Sequence, residues 1–415
     1  HDGDTLVAGA RFDDGWLTSP SGPASGYDQG HARVFRYSEN SWSQLGSDIE
    51  PQQNNVAASG DHFGSSVGIN GDGDRVVIGA PQLFSANRGN SPSYLNDDSR
   101  DGKPGYVEVY TYEGSSWSKT GSRINCFDPT PDDDFGKSVS INKTGDIIAI
   151  GCPRYKYQTE DDKLRTGNEF DFNRGLVQVH KFNSTSSEWE IIGGAIHGKR
   201  RNANFGDDVS LSEDGLTVAV GSKLDQTSAN VAGAVEVFSY QNDGWIQKGS
   251  TLRGDATGDR FGYSVSLSAN AEFLAVGAAT KSDAIGVTYI YKYDGDWIEI
   301  GELIGDESNG YFGHDVSAII ESESNMTIVS GSPYTGGTLN LGSVRVYKSS
   351  IQDVDNDFLL NDGAMKNMSS RRNVGMESTT TRGRNKVYLS NGKRIEVYQA
   401  GATYNFISPQ TEGGS

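Results

Sequence analysis

The sequence predicts an all-β protein, a β-propeller of four-stranded antiparallel blades. Three observations carry that prediction. A Phe-Gly segment recurs, as FGSSVGI at Phe63, FGKSVSI at Phe135, FGDDVSL at Phe205, FGYSVSL at Phe261 and FGHDVSA at Phe312. An apolar run ending in Gly and a small residue follows each copy, and Gly with alternating apolar and polar residues follows that. Repetition at this period, with every unit β-like, reads as radially stacked sheets.

The Phe-Gly copies define strand A. They stand 72, 70, 56 and 51 residues apart. Strand B is the apolar run: VVIGAP at Val76, IIAIGCP at Ile147, VAVGS at Val218, LAVGA at Leu274 and IVSGSP at Ile328, with LVAGA at Leu6 as a further copy. Strand C reads GHARVFRY from Gly30, GYVEVYTY from Gly105, GLVQVHKF from Gly175, GAVEVFSY from Gly233, GVTYIYKY from Gly286 and GSVRVYKS from Gly342. Its period of two marks a half-buried strand. Strand D carries Trp42, Trp117, Trp189, Trp245 and Trp297, each followed four residues later by Gly. Asp-Gly turns join A to B and C to D. Six blades are recognisable, starting near residues 1, 63, 135, 205, 261 and 312, and a seventh would close the ring.

Composition agrees. Gly makes up 53 of 415 residues, about 13% against the usual ~7%. Gly costs about 1 kcal/mol per helical position, which disfavours a helical fold. The net charge of −19 argues against binding nucleic acid, which requires clustered Lys and Arg. It suits a soluble surface protein or one that recruits cations. No stretch of about 18 apolar residues is present, so no membrane span is expected. The chain opens at His1 without Met, which implies that the natural start lies elsewhere.

The ends depart from the repeat. Blade 1 starts at its A–B turn, and no Trp strand follows Tyr347 in blade 6. Residues 1–350 read as the propeller and 351–384 as an acidic-then-basic linker. Residues 385–415 read as a short β segment that either completes a blade or begins another module.

These motifs resemble the FG-GAP repeat, the blade of the integrin α-chain head. The resemblance runs from Leu6 to about Tyr347. It implies a propeller that recognises an extracellular ligand on one face. It also directs attention to calcium, because such blades often carry a D-x-D-x-D-G loop between strands A and B. Calcium requires 6–8 oxygens. Here blade 2 keeps Asn70, Asp72 and Asp74, while the corresponding turns of blades 3–6 read as ordinary Asx-type turns. Asp353, Asp355 and Asp357 form a second candidate calcium run, with Phe358 where an EF-hand-like loop has Gly.

Loop lengths locate the expected binding surface. In an antiparallel blade the B–C and D–A loops share a face. The B–C loops span residues 11–29, 81–104 and 153–174 in blades 1–3, against seven to ten residues in blades 4–6. Long loops of this kind are usually functional. They bring Trp16, Tyr27, Tyr94, Tyr155 and Tyr157 to that face, with Asp132, Asp133 and Asp134 beside them. The expected partner is a protein chain or a cell-surface glycan, with self-assembly through the C-terminal segment as a further route. Such a surface points to non-enzymatic extracellular recognition, adhesion or assembly. The alternative is a secreted polysaccharide-acting enzyme with its site at the channel mouth.

Other motifs read as scaffold. Gly64-Ser65-Ser66-Val67-Gly68 matches a serine-hydrolase pattern but sits in a strand repeat. Arg253-Gly254-Asp255 spells a cell-attachment tripeptide, yet Gly254 holds a repeat position. Cys126 and Cys152 fall side by side on the long-loop face, and a disulfide is expected between them. Sequons at Asn142, Asn183, Asn325 and Asn367 fall in turns or the linker, which suits glycosylation of a secreted protein.

Overall fold

The computed structural model describes residues 3–11, 29–51, 61–81, 104–128, 133–156, 173–322, 325–335 and 342–350. It also describes three C-terminal strands. It is an all-β propeller with six antiparallel blades. Blade 1 holds β1 (Thr5–Ala10), β2 (His31–Ser38) and β3 (Ser41–Gln44), equivalent to strands B, C and D. Blade 2 begins with the full set: β4 (Ser66–Ile69), β5 (Arg75–Ala80), β6 (Tyr106–Tyr112) and β7 (Trp117–Lys119), with β8 (Ile124–Asn125) also paired to β6. Blade 3 repeats this as β9 (Ser138–Ile141), β10 (Ile147–Cys152), β11 (Leu176–Asn183), β12 (Glu188–Ile191) and β13 (Ile196–His197). Blade 4 comprises β14 (Asp208–Leu211), β15 (Thr217–Ser222), β16 (Ala234–Gln241), β17 (Gly244–Gln247) and β18 (Leu252–Arg253).

In blade 5, β19 (Ser264–Leu267), β20 (Phe273–Ala278) and β21 (Val287–Tyr293) precede a continuous β22 (Trp297–Ile304), which a register shift at Ile290/Tyr291 accommodates. Blade 6 has β23 (Asp315–Ser322), β24 (Asn325–Ser332) and β25 (Ser343–Ser350), ending at strand C. A separate antiparallel sheet is formed by β26 (Arg384–Tyr388), β27 (Arg394–Ala400) and β28 (Thr403–Gln410). The first strands β4, β9, β14, β19 and β23 lie beside one another in chain order, as the inner wall of the ring requires.

The apolar core sits between blades rather than within them. Each of five buried clusters joins one blade to the next; one runs from Ala32 and Val34 of blade 1 to Phe63, Ile78 and Tyr110 of blade 2. The Phe of every Phe-Gly segment is fully buried in such a seam. Its role follows from the turn that carries it. His62-Phe63-Gly64-Ser65 closes with a hydrogen bond from Ser65 N to His62 O at 3.0 Å, and Gly64 has φ +85°. A type II turn requires positive φ at its third residue, which is why Gly follows Phe.

Strand B glycines accept that turn from the next blade. A Cβ on Gly79 would lie 2.1 Å from the carbonyl oxygen of Gly136, and one on Gly151 would lie 2.0 Å from that of Gly206. Gly254 of the Arg-Gly-Asp tripeptide is also a framework glycine, since a Cβ there would lie 2.1 Å from Ala232 O of its own blade. The inner strands are stitched by hydroxyls. Val209 N donates to Ser138 Oγ at 2.9 Å, Leu267 N to Ser210 Oγ at 3.0 Å and Ala318 N to Ser266 Oγ at 2.9 Å. This accounts for the Ser-Val-Ser pattern of strand A.

A candidate recognition face at the channel mouth

Strand B ends and strand A begins at the same face, since Ser66 pairs with Gly79 and Asp208 with Gly221. The type II turns therefore ring the channel mouth on the side where the B–C loops depart. The residue just after each Phe-Gly is half-buried and differs from blade to blade: Ser65, Lys137, Asp207, Tyr263 and His314. The residue just before Phe is non-glycine yet left-handed in all five blades, from φ 52° at Arg260 to 57° at Asn204 and Tyr311. The flanking strands hold these side chains in place.

The ring is electrostatically connected. Lys223 Nζ lies 2.5 Å from Asp207 and 4.6 Å from the ring centroid of Tyr263. Tyr263 Oη is 3.1 Å from His314 Nε2, with ring centroids 4.7 Å apart. Burial holds the Lys137 ammonium below its usual range, opposed by the Asp207 carboxylate. Burial also lowers His314, which keeps the ring neutral at neutral pH. Just inside, Asp208 accepts from Ser138 Oγ at 3.0 Å and Val265 N at 2.7 Å, and so joins blades 3, 4 and 5. Burial pushes its carboxyl up to about 7.

Among the aromatic and acidic residues expected at this face, Trp16, Tyr27, Tyr94, Tyr157 and Asp132 lie outside the described residues. The other three, expected to build the binding surface, are buried. Tyr155 is 3% exposed, packs on Phe127 and His197, and donates its hydroxyl to Asp128 at 3.2 Å. Asp133 is fully buried, and its carboxylate accepts from Phe135 N at 3.0 Å and Gly105 N at 3.3 Å. It fastens the turn at Phe135. Asp134 is buried in the left-handed position before Phe135. Phe127, which the sequence reading passed over, is 57% exposed beside Tyr155.

The two cysteines expected to form a disulfide stand close together without a bond between them. Cys126 and Cys152 are free thiols, both buried, and their sulfurs and the Asp133 carboxylate lie within 4.8 Å of one another. Each sulfur also has a polar neighbour: Cys152 Sγ donates to Asp133 O at 3.2 Å, and Gln178 Nε2 approaches Cys126 Sγ at 3.6 Å.

The blade 2 turn is closed by its own bonds. Asn70 Oδ1 accepts from Asp74 N at 3.1 Å and Arg75 N at 2.8 Å, and Asn70 Nδ2 donates to Asp74 at 2.8 Å. Asp72 points to solvent as an exposed residue. Asn142, Ser212 and Ser268 cap their turns in the same way, accepting from Ile147 N, Thr217 N and Phe273 N. Convergence of 6–8 oxygens on a calcium ion would require the blade 2 cap to open. Asp353, Asp355 and Asp357 lie outside the described residues.

The sequons separate by environment. Asn142 is 3% exposed and its amide donates to Thr144 and Asp146 at 2.9 Å. Asn183 ends β11 half-buried, and Asn325 starts β24 rather than lying in a turn. Asn367 lies outside the described residues. The ring after Phe-Gly was missed from the sequence. Its signal was present: one position changes in size and charge inside an otherwise constant frame.

No family model and no curated protein matches the chain.

Proposed function

We propose that the protein is a non-enzymatic recognition module, used outside the cell for adhesion or assembly, that binds a protein chain or a cell-surface glycan. Its contact surface is the channel-mouth face on the side of blades 1–3. The observation that carries this reading is the ring Ser65, Lys137, Asp207, Tyr263 and His314, where a fixed turn presents a different side chain in each blade. A repeat that holds its backbone constant and varies one half-buried residue at the channel mouth suits a surface for selective contact. The long loops of residues 11–29, 81–104 and 153–174 depart from the same face. The FG-GAP-like motifs point the same way.

The enzymatic alternative has one observation in its favour, the Asp208 carboxyl at about 7. Both of its oxygens already accept scaffold hydrogen bonds, which favours a structural role. Calcium at Asn70, Asp72 and Asp74 would sit in the A–B turn, at the end of the blade opposite this contact surface, and would be a separate site to test.

The test compares the full chain with a variant whose three long loops are cut to the seven-residue length of blade 5. Both are applied to printed arrays of cell-surface glycans and extracellular protein domains. The intact chain should bind, more weakly as salt rises, and the shortened chain should not. Equal binding by both chains, or binding by neither, overturns the reading.

A further inference from the structure

Aromatic side chains concentrate in one part of the ring. The residues flanking Phe-Gly are His62 and Ser65, Asp134 and Lys137, and Asn204 and Asp207 in blades 2–4. In blades 5 and 6 they become Arg260 and Tyr263, and Tyr311 and His314. Between these last two turns lies an open cleft of about 560 Å³, also bordered by Glu307, Asn309 and Tyr334. That size falls within the usual ~300–1,000 Å³ of small-ligand sites. It is distant in sequence from the long loops of blades 1–3.

We propose that this cleft is a second binding site, specific for the neutral sugar residues of an oligosaccharide. A pyranose ring has a C–H face that stacks on an aromatic ring and an equator of hydroxyls that needs polar partners. The cleft supplies both. Tyr334 is 49% exposed and meets Tyr311 edge-on, with centroids 5.3 Å apart, so an aromatic wall stands open to solvent. Tyrosine provides such area with few rotamers to freeze. On the other side, Tyr263 and His314 are locked by their 3.1 Å hydrogen bond and ring contact, giving a rigid floor. Lys223 holds Tyr263 from outside the cleft while paired with Asp207.

Charge selects a neutral ligand. Arg260 and Glu307 border the cleft with opposite signs, and His314 is kept neutral by burial and by Lys223. The whole chain carries −19, which repels anionic sugars over the distance that salt permits. Arg260 and Glu307 together offer donors and acceptors for vicinal hydroxyls.

The experiment titrates the full chain with cellobiose, chitobiose, mannobiose, lactose and a digalacturonate. The readouts are calorimetry and saturation-transfer NMR. At least one neutral disaccharide should bind with Kd at or below about 1 mM, with its C–H protons receiving the transfer. Tyr334→Ala should weaken that binding at least tenfold, Tyr334→Phe should preserve it, and circular dichroism should show both folded. The loop-shortened chain should bind the sugar as the intact chain does, which separates this site from the blade 1–3 surface. Failure of every neutral disaccharide overturns the proposal. So does binding of the digalacturonate alone, or an unchanged affinity in Tyr334→Ala.

Discussion

The indole N–H of Trp189 in blade 3 donates to the backbone carbonyl of Thr120 in blade 2 at 2.9 Å. The same bond recurs from Trp117 to Leu45, Trp245 to Ile192 and Trp297 to Lys248. Each indole lies over the glycine that follows strand D of the preceding blade; a Cβ on Gly121 would stand 2.9 Å from Trp189 Cδ1. The Trp and the Gly four residues after it thus belong to two different contacts, one backward and one forward around the ring. Replacing Trp189 by Phe keeps most of the apolar area and removes the donor. The expected loss is about 1–2 kcal/mol in denaturant unfolding. No change in midpoint would show that water replaces the bond at no cost.

The strand B glycines make a sharper comparison. Gly151 has Gly206 O 2.0 Å from where its Cβ would stand, whereas the nearest atom to a Cβ on Gly331 is Asp315 O at 3.7 Å. Neither has the positive φ that only glycine favours. The difference is therefore steric and comes from the neighbouring blade. Gly151→Ala should destabilise by about 3 kcal/mol or more, because a backbone carbonyl must move. Gly331→Ala should stay within about 1 kcal/mol of the parent. Equal effects at the two sites would refute the inter-blade explanation.

This pair also shows how far the sequence could be read. The repeat exposed strands A to D because each has its own period, and Phe-Gly marked where each blade starts. What the glycines contact is not legible from one blade, since the atom that excludes a side chain at Gly151 belongs to residue 206. The site was less legible for a related reason. Tyr155 and Asp133 resemble surface residues in a loop-rich, acidic segment, yet the turn at Phe135 and the ring packing at Phe127 draw them inside. The split of strand D into β7 and β8, β12 and β13, or β17 and β18 was also hidden, because both pieces pair with the same strand C.

Burial should decide the chemistry of the cysteines. The Cys152 thiol is pushed well above its ordinary range by desolvation, with Cys126 and the Asp133 carboxylate adding to the shift. The thiolate is the reactive form and both sulfurs are closed off from solvent, so neither should be alkylated quickly in the folded protein at pH 8. Iodoacetamide followed by intact-mass measurement should add nothing to the native chain and two carbamidomethyl groups after unfolding without reductant. If the unfolded chain took up no carbamidomethyl group until a reductant was added, and then took up two, the pair would be a disulfide, as the sequence alone suggests.

Asp208 makes stability depend on pH in the direction opposite to a salt-bridged carboxylate. Its folded pKa of about 7 lies above the ordinary aspartate value of 3.8, so between these values the folded state holds a proton that the unfolded state has lost. The stabilisation is complete below about pH 4 and declines as pH rises towards 7, after which the deficit is constant. Asp315 and Asp207 add negative charge nearby, in the same direction. Ser is the residue that blades 2, 3 and 5 carry at this position, and Ser138 shows that its hydroxyl accepts the same inter-blade N–H. Asp208→Ser should therefore keep the bond from Val265 N and remove the slope. At pH 8 the variant should exceed the parent by about 1–2 kcal/mol, a value held below the full shift because Asp208 is only partly buried. At pH 4 the advantage should vanish. Denaturant midpoints at pH 4, 6 and 8 test this, and parallel profiles for the two proteins would place the titrating group elsewhere.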